Sequence, residues 1–517
     1  MLKGIHNGTK VISVDPRRTS TAQWAHRHLP IRIGSDIALA NAIAREIIDA
    51  RLANDAFIAR ATEGYATFRA SLDRYTLAFA ERETGLDAGL IREVAHLYAR
   101  ADRAMICWTL GITEHHNAVD NVRSLINLAL LTGHVGRYGS GLNPLRGQNN
   151  VQGGGDMGAI PNRFVGFADI HDAQVRERFA RAWGVPQKSE YGKTMTQMFE
   201  AIERGDMRSL FIIGENPVQS EADGHKTNAL LSSLDHLVVV DIFMTKTAEL
   251  ADVVLPSAAG WCESEGTVVN SERRVQRIRK ALAHPGEARD EIAVLCDIAR
   301  RLGTDWGNPT AEQVWDEVRA LAPEMFGGMS YPRLESEKGL RWPCPDETHP
   351  GTEFLHARLW QDHLEGLAAP FAAVEHDPPV ERPDADYPFV LTTGRRLADY
   401  NTGVQSGGFT SPLRRSESVD MHPDDVVRLG FRNGQPVRIS SRRGSVVAPV
   451  RIDPTLQPGV VFMTPHFQDD VGVNQLTIDA TDPEAGTAEF KACAVRLQPL
   501  EVLAPAADPK LAGIAGD

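Results

Sequence analysis

Cysteine is scarce: among 517 residues there are five, Cys107, Cys262, Cys296, Cys344 and Cys493, and no two are close in sequence. No local thiolate pair can start a zinc or iron–sulfur site, so no iron–sulfur (4Fe–4S) ligands and no metal ligands are assigned in this chain. The wide spacing fits reduced, individually buried thiols. Long apolar runs are also missing, which excludes a bilayer-spanning helix of the usual ~20 residues. The opening MLKGIHNGTKVISVDPRR has no extended hydrophobic stretch of the secretory kind, so the cytoplasm is the expected compartment. Positive charge is in deficit, with Lys+Arg 55 against Asp+Glu 68 and a net charge of -13, which disfavours nucleic acid and anionic lipid as partners.

What is present is enough chain for about three domains at roughly 150 residues each. Lys10–Val14 (KVISV) is a β-branched run that stops at Asp15-Pro16, and Ser35 is positioned to cap a helix whose Leu39, Ile43 and Ile47 form one apolar stripe. The alternation continues with strands at Ala104–Leu110, Leu210–Ile213, Leu237–Val240 and Val253–Leu255, and with a helix over Asn121–Leu131. Strand–helix alternation predicts an α/β chain with two doubly wound, Rossmann-like parallel sheets. Two strand exits match: VISV ends at Asp15 with Thr19 after it, and LVVV ends at Asp241 with Thr245 and Thr247 after it, a weak internal duplication. Residues 364–386 are rich in Ala, Pro and acids and read as a linker. Beyond them YPFVLTT, VRISSRRGSVVAPVRI, GVVFMTP and CAVRLQPL predict a β domain, interrupted by one helix from Pro423 to Gly430. The expected divisions are 1–147 and 148–363 as α/β units, 387–500 as the β domain and 501–517 as a frayed tail.

Asp15 and Asp241 stand at the carboxyl ends of strands, where open α/β sheets bind ligands. Each carboxylate can accept two hydrogen bonds from a guanine edge or a ribose diol, or simply cap the turn that follows. The segment Gly139 to Gly158 holds seven glycines and many amides, which disfavour an ordinary helix or strand and let backbone approach a ligand. Within it Arg146 can clamp a small carboxylate, with Gln148, Asn149 and Gln152 as neutral hydrogen-bonding groups. A flexible inter-domain loop is the plainer alternative.

RGQNNVQGGGDMGAIPN, preceded by DNVRSLINLALLTGHVGRYGSGLNP, closely resembles the active-site region of the formate dehydrogenase α subunit in the molybdopterin oxidoreductase family. The resemblance continues through FIIGENPVQSEAD, DIFMTKTAELADVVLPSAAGWCESEGTVVNSERRVQ, YPFVLTTGRRLADYNTG and NQLTIDATDPEAGTAEFKACAVRL. It implies a bis(molybdopterin guanine dinucleotide) cofactor carrying molybdenum, or tungsten in its place. The cofactor would lie between two α/β domains under a C-terminal β-barrel of double-psi type. By the same resemblance Asp15, Arg17, Gly214, Glu215, Asn216, Asp241, Thr245 and Gly266 bind cofactor, as do Thr393, Gly394 and Arg395 in a pterin- and phosphate-contacting turn. Asn474 and Lys491 match positions facing the second cofactor half. His466 is a further candidate, or a histidine bonded inside its own turn. Arg146 would hold formate for oxidation to carbon dioxide, with Gln148 beside it, while His115 and His116 fall near the implied substrate funnel or on the surface.

Family members begin with a cysteine-ligated cluster domain and a cysteine or selenocysteine that ligates the metal, and the resemblance finds neither motif here. The expectation is therefore a catalytic-subunit portion that works with an N-terminal companion fragment or electron-transfer subunits. Its alternative is a non-catalytic, truncated or split cofactor-binding or assembly protein of the same fold.

Overall fold

In the computed structural model the described residues are 1–396, 401–402 and 416–500. The first unit begins with β1 (Ile12–Val14), paired in parallel with β2 (Arg27–Leu29). A second parallel ribbon joins β3 (Met105–Trp108) to β4 (Gly141–Pro144). Both ribbons rest on one core formed by α1 (Asp36–Asp49), α2 (Ala88–Ala99) and α3 (Ala118–Thr132). The stripe predicted from the spacing of Leu39, Ile43 and Ile47 is buried, and Ile12 and Ile106 bring the ribbons to it. Ser35 occupies the cap position but its hydroxyl donates backward to the Arg32 carbonyl at 2.7 Å, so its side chain satisfies no helix N–H.

The second unit has a three-stranded parallel sheet, β5 (Ser209–Ile213), β6 (His236–Asp241) and β7 (Val253–Pro256), with β6 in the middle. Next to it in sequence is an antiparallel sheet that the strand–helix alternation did not anticipate: β8 (Gly266–Val269), β9 (Arg274–Ile278) and β10 (Leu340–Arg341). It has its own core of Val269, Val275, Trp315, Phe326, Met329 and Tyr331.

The chain then returns to the first unit before entering the last. Trp360 packs on Phe57 with ring centres 4.9 Å apart, and its Nε1 donates to the Val135 carbonyl at 2.6 Å. Within the segment read as a linker, Phe371 stacks on Phe68 at 4.9 Å and Val374 and Glu381 are buried. This stretch is a docked strap: its few apolar residues are spaced to meet the first unit, so low periodicity did not mean low order.

The final unit is a closed barrel in which β11 (Phe389–Thr393), β12 (Val419–Met421), β13 (Pro436–Ser440), β14 (Ser445–Ile452), β15 (Val460–Met463) and β16 (Cys493–Pro499) run in the order 11-15-12-14-13-16. Inward positions alternate along β13 and β14, so Val437, Ile439, Val446, Ala448 and Val450 fill the interior. The predicted helix spans Pro423–Leu429 and stops at Gly430, whose φ of 68° places it in the left-handed region that ends helices. The expected tail, 501–517, lies outside the described residues.

Candidate functional site

The duplicated strand exits fold alike. In both, each residue pairs with the one fifteen positions on, Ile12 with Arg27 and Val238 with Val253. Each aspartate accepts from the backbone N–H two residues later, Asp15 from Arg17 at 2.8 Å and Asp241 from Phe243 at 3.2 Å. Four residues after each, a threonine caps a short helix, Thr19 accepting from Ala22 N and Thr245 from Ala248 N. Burial pushes both carboxyls above the usual carboxylate range. The turn role read as the plainer alternative is therefore real, and each aspartate keeps oxygen lone pairs for a ligand.

In the second unit a loop stands beside that exit. Gly214 turns the chain at φ 63°, and Asn216 Oδ1 accepts from both Thr247 N and Thr247 Oγ1, at 3.2 and 2.8 Å. Asn216 Nδ2 donates to Gln219 at 2.6 Å, so this buried amide is satisfied inside the protein and fixes the loop. Thr245 is spent on its cap, and Gly266 opens β8.

The amide-rich loop is more regular than its composition predicts: it contributes β4 and a helix at Val151–Asp156. Asn150, in the left-handed region at φ 61°, accepts from Val269 N at 2.9 Å, and a Cβ on Gly153 would collide with that amide oxygen. Asp156 is fully buried, accepts from Gln152 and from Trp342 Nε1 at 2.8 Å each, and is raised by burial to about 6. Just ahead of these anchors in the chain, Arg146 is exposed and Gln148 half-buried. A Cβ on Gly147 would fall 2.7 Å from Arg395 Nη1, so loop and barrel meet there.

On the barrel side, Gly394 N donates to the Met463 carbonyl at 3.2 Å and Thr393 Oγ1 to the Phe490 carbonyl at 2.8 Å. Arg17 reaches from the first unit over the Phe462 ring, 3.7 Å from its centre. Lys491 donates to the Thr393 carbonyl at 3.1 Å and pairs with Glu114 at 2.6 Å. Asp15, Arg17, Thr393, Gly394, Arg395 and Lys491 therefore converge where the first unit meets the barrel.

Asn474 belongs to the other seam: its Nδ2 donates to the carbonyls of Gln219 and Ser220, both at 3.0 Å, tying the barrel to the second unit. Beside it lies a cavity of about 510 Å³ lined by Gln219, Lys246, Gln468, Asp469 and Asn474 among others. Gln468 Nε2 is buried there without a hydrogen-bond partner, an atom a polar ligand would satisfy. His466 is fully buried and its ring reaches across to another segment rather than bonding within its own turn, Nε2 accepting from Arg396 N at 3.0 Å and Nδ1 meeting the Asn401 carbonyl at 2.8 Å.

His115 is buried rather than open to a funnel or to solvent, and it meets Glu489 at 3.3 Å; His116 meets the same carboxylate at 3.0 Å and Asp377 at 3.0 Å. Burial opposes the charge on Glu489, but the two imidazoles outweigh it and hold the carboxyl down at about 2. The hydrogen bond that His116 donates to Glu489 leads in raising the imidazole to about 9. Sequence reasoning missed Glu489, Asp156 and Glu221, the last raised to about 7 by burial and by Glu215 and Glu114. Glu489 meets partners more than a hundred residues away, and although Asp156 and Glu221 also have neighbours nearby in sequence, it is burial that sets them apart, and burial leaves no local mark. Among the described residues no group of three His, Cys, Asp or Glu is placed to hold a metal ion.

Comparison with known proteins fits this architecture. The molybdopterin oxidoreductase family matches residues 2–301, and the molybdopterin dinucleotide binding domain matches residues 389–494. The F420-dependent formate dehydrogenase 2 subunit alpha of Methanococcus maripaludis is 41% identical over 503 residues, covering 96% of this chain and 73% of that protein. Formate dehydrogenase H of Escherichia coli is 34% identical, over 96% of this chain and 69% of its own length. The assimilatory nitrate reductase catalytic subunit of Bacillus subtilis is 33% identical, over 96% and 71%. Among solved structures, acetylene hydratase from Pelobacter acetylenicus superposes with a TM-score of 0.74 at 19% identity, covering 96% of this chain and 75% of that one, which shows a shared fold. With two α/β units, a closing barrel and this pattern of similarity, the chain belongs to the molybdopterin oxidoreductase family.

Proposed function

We propose that this chain is the cofactor-gripping part of a formate dehydrogenase catalytic subunit, holding a molybdenum bis(molybdopterin guanine dinucleotide) and passing electrons from formate to partner subunits. The observation that carries the reading is the convergence of Arg146, the amide loop and the barrel arginine Arg395 at one junction. The donor set fits such a group: Arg17, Arg395 and Lys246 offer cationic groups for pyrophosphate oxygens, Asp15 and Asp241 offer acceptors for guanine edges or ribose diols, and Gln468 Nε2 offers an unused donor. When bound, the cofactor supplies two-electron redox chemistry.

The chain's own residues bind and orient. Arg146, exposed at the loop's crest, pairs with the formate carboxylate through two parallel N–H···O bonds and fixes which way the C–H points. Gln148 adds a neutral hydrogen bond. Asp156 lies near enough for the charge of Arg146 to lower its pKa, and it anchors the loop from beneath. Formate loses two electrons and a proton and leaves as carbon dioxide.

The test uses holoenzyme assembled with its partner subunits. Arg146→Ala is expected to lower kcat/KM for formate at least ~100-fold, the ~3 kcal/mol scale of a lost charge-assisted pair, with molybdenum and guanine content unchanged. Retained formate oxidation in Arg146→Ala, or a wild-type holoenzyme containing neither pterin nor metal, overturns the reading.

A further inference from the structure

The antiparallel sheet β8–β9–β10 has no part in the duplicated strand exits, yet it reaches the Arg146 loop at three points. Val269 N, at the end of β8, donates to Asn150 Oδ1 at 2.9 Å. Ser271 Oγ, in the turn that follows, donates to the Arg146 carbonyl at 3.4 Å. Trp342, the residue after β10, donates from Nε1 to Asp156 Oδ2 at 2.8 Å. The indole is itself held from the same turn: Trp342 N donates to the Arg273 carbonyl at 3.1 Å, and the Arg273 guanidinium lies over the ring, 5.2 Å from its centre. Met157, beside Asp156, packs against the sheet's core.

What these bonds hold is weak by its own sequence. The helix Val151–Asp156 has six residues, far below the ~12–15 that a helix needs to persist alone, and Gly153, Gly154 and Gly155 fill its middle. Glycine is the poorest helix former after proline, because it gives up the most backbone freedom. Packing demands only one of the three: a Cβ on Gly153 would strike the Asn150 amide, whereas one on Gly154 would meet nothing within 4 Å and one on Gly155 only the tip of the Phe167 ring at 3.5 Å. Order in this stretch is therefore imposed from outside. Asp156 receives it as a fully buried carboxylate that burial pushes up to about 6, a costly anchor that accepts on both oxygens. Of its two donors Gln152 lies one turn back on the same helix, so Trp342 is the one that ties the helix to another element. Among the described residues no hydrogen bond or ion pair holds the Arg146 guanidinium itself, so its direction follows from the backbone that carries it.

We infer that Trp342 is a positioning residue for Arg146, setting the affinity for formate by holding the glycine-rich helix, through Asp156, in the arrangement that presents the guanidinium. The inference rests on Arg146 as the formate clamp and gives that clamp a second supporting element, the antiparallel sheet. It acts through population. Formate binds only the fraction of molecules whose loop is in place, so a loosened anchor raises the apparent dissociation constant by the inverse of that fraction and leaves the saturated complex as it was.

The test uses holoenzyme with its partner subunits, with Arg146→Ala run alongside. Trp342→Phe deletes the indole N–H and keeps an aromatic ring in place. It is expected to raise KM for formate at least ~3-fold, the scale of one lost hydrogen bond, while kcat at saturation changes less than ~2-fold and molybdenum and guanine content stay level. Phenylglyoxal, which modifies arginine, gives a readout free of turnover: the formate concentration that half-protects Arg146, followed by peptide mass spectrometry, rises by the same factor as KM. Adding Gly154→Ala stiffens the helix without touching a neighbour, and it is expected to recover at least about half of the loss in both measurements, which a packing defect confined to Trp342 would not allow. Asp156→Asn keeps the shape and one acceptor; it serves if Trp342→Phe does not fold, with the same rise and the same rescue expected. Unchanged KM in these variants while Arg146→Ala loses formate oxidation overturns the inference and leaves the clamp standing. A lowered kcat at unchanged KM, or a loss that Gly154→Ala does not repair, overturns it as well. Retained oxidation in Arg146→Ala removes the clamp itself, and the positioning role with it.

Discussion

The two α/β units carry the same strand exit and complete it differently. Around Asp241 the neighbouring strand, the Gly214 turn and the Asn216–Thr247 bonds build a cradle with two sides. Around Asp15 the strand, the aspartate turn and the Thr19 cap are present, and the adjoining edge of β1 is bare among the described residues. The barrel also grips the units by different chemistry. It holds the first through charge: Glu489 with His115 and His116, Lys491 with Glu114, and Arg123 with Glu484. It holds the second largely through amides, Asn474 on two carbonyls and Gln219 on Asp469. A local motif thus sets a turn, while its neighbours in space decide what the turn becomes.

The charged seam gives the largest expected difference between the units. Glu489 is fully buried and its second oxygen accepts from Val380 N at 3.0 Å, so Glu489→Leu strands the His115 imidazole and a backbone donor and leaves His116 only its bond to Asp377. A loss of ~3–5 kcal/mol is expected in chemical denaturation, concentrated in the first unit and the barrel. Its pH dependence has a definite sign. The depressed carboxyl contributes stability above its ordinary 4.5 that is lost as pH falls toward about 2. His116, raised above its ordinary 6.5, contributes stability below that value that is lost as pH rises through about 9. The seam is therefore strongest from about pH 5 to 6.5, and hydrogen exchange at its amides should quicken on both sides of that window while the Asn474 seam stays level. Equal pH response at both seams would dissolve the contrast.

Next in size is the second unit's internal lock. Asn216→Ala removes three hydrogen bonds at once and leaves Thr247 N–H buried without its partner, so a loss of ~2–3 kcal/mol is expected by denaturant titration. No first-unit residue among the sequence candidates plays this role, and the asymmetry is sharpened if no single substitution near Asp15 costs as much.

Much of this was legible in the sequence because it is local. Strand exits at Asp15 and Asp241, the helix ending at Gly430 and the β13–β14 hairpin each follow from a few adjacent residues obeying one periodicity or one φ requirement. The antiparallel sheet at β8 to β10 was missed because β10 joins it from far along the chain. That the linker segment docks as a strap leaves no sign in its sequence, because Phe371 is buried in the first unit's core and the Val374 carbonyl accepts from Asn41 there, partners far from their own neighbourhood. A similar division runs through the candidate residues: Asp15 and Arg146 stand out by position and Arg395 by resemblance, while Glu489 is held by residues more than a hundred positions away and Asp156 by Trp342 across a packed core as well as by Gln152 one turn back.

Ligand retention tests the two cradles directly. If the second is complete, Asp241→Asn should shed guanine nucleotide from the purified holoenzyme more readily than Asp15→Asn does in the same preparation, with each lost carboxylate pair worth ~1.5–3 kcal/mol where the cradle closes around it. Nucleotide analysis after gel filtration reads the difference. Equal shedding would mean that the bare β1 edge does not weaken the first cradle.

The smallest effect is the one that asks whether the duplication is physical at all. Thr19 and Thr245 each accept a single backbone N–H, from Ala22 at 3.4 Å and from Ala248 at 3.2 Å, at the start of helices of five and four residues. Neither hydroxyl has a long-range partner among the bonds described, so Thr19→Ala and Thr245→Ala should each cost ~1 kcal/mol, the usual worth of an N-cap, and the two should agree within a few tenths. Ser35→Ala supplies the control, since that hydroxyl points back to Arg32 and caps nothing; its cost should fall below either threonine. Melting of the three variants side by side separates a repeated local device from a coincidence of sequence, because a cap bears only on its own first turn whatever the rest of the sheet is doing.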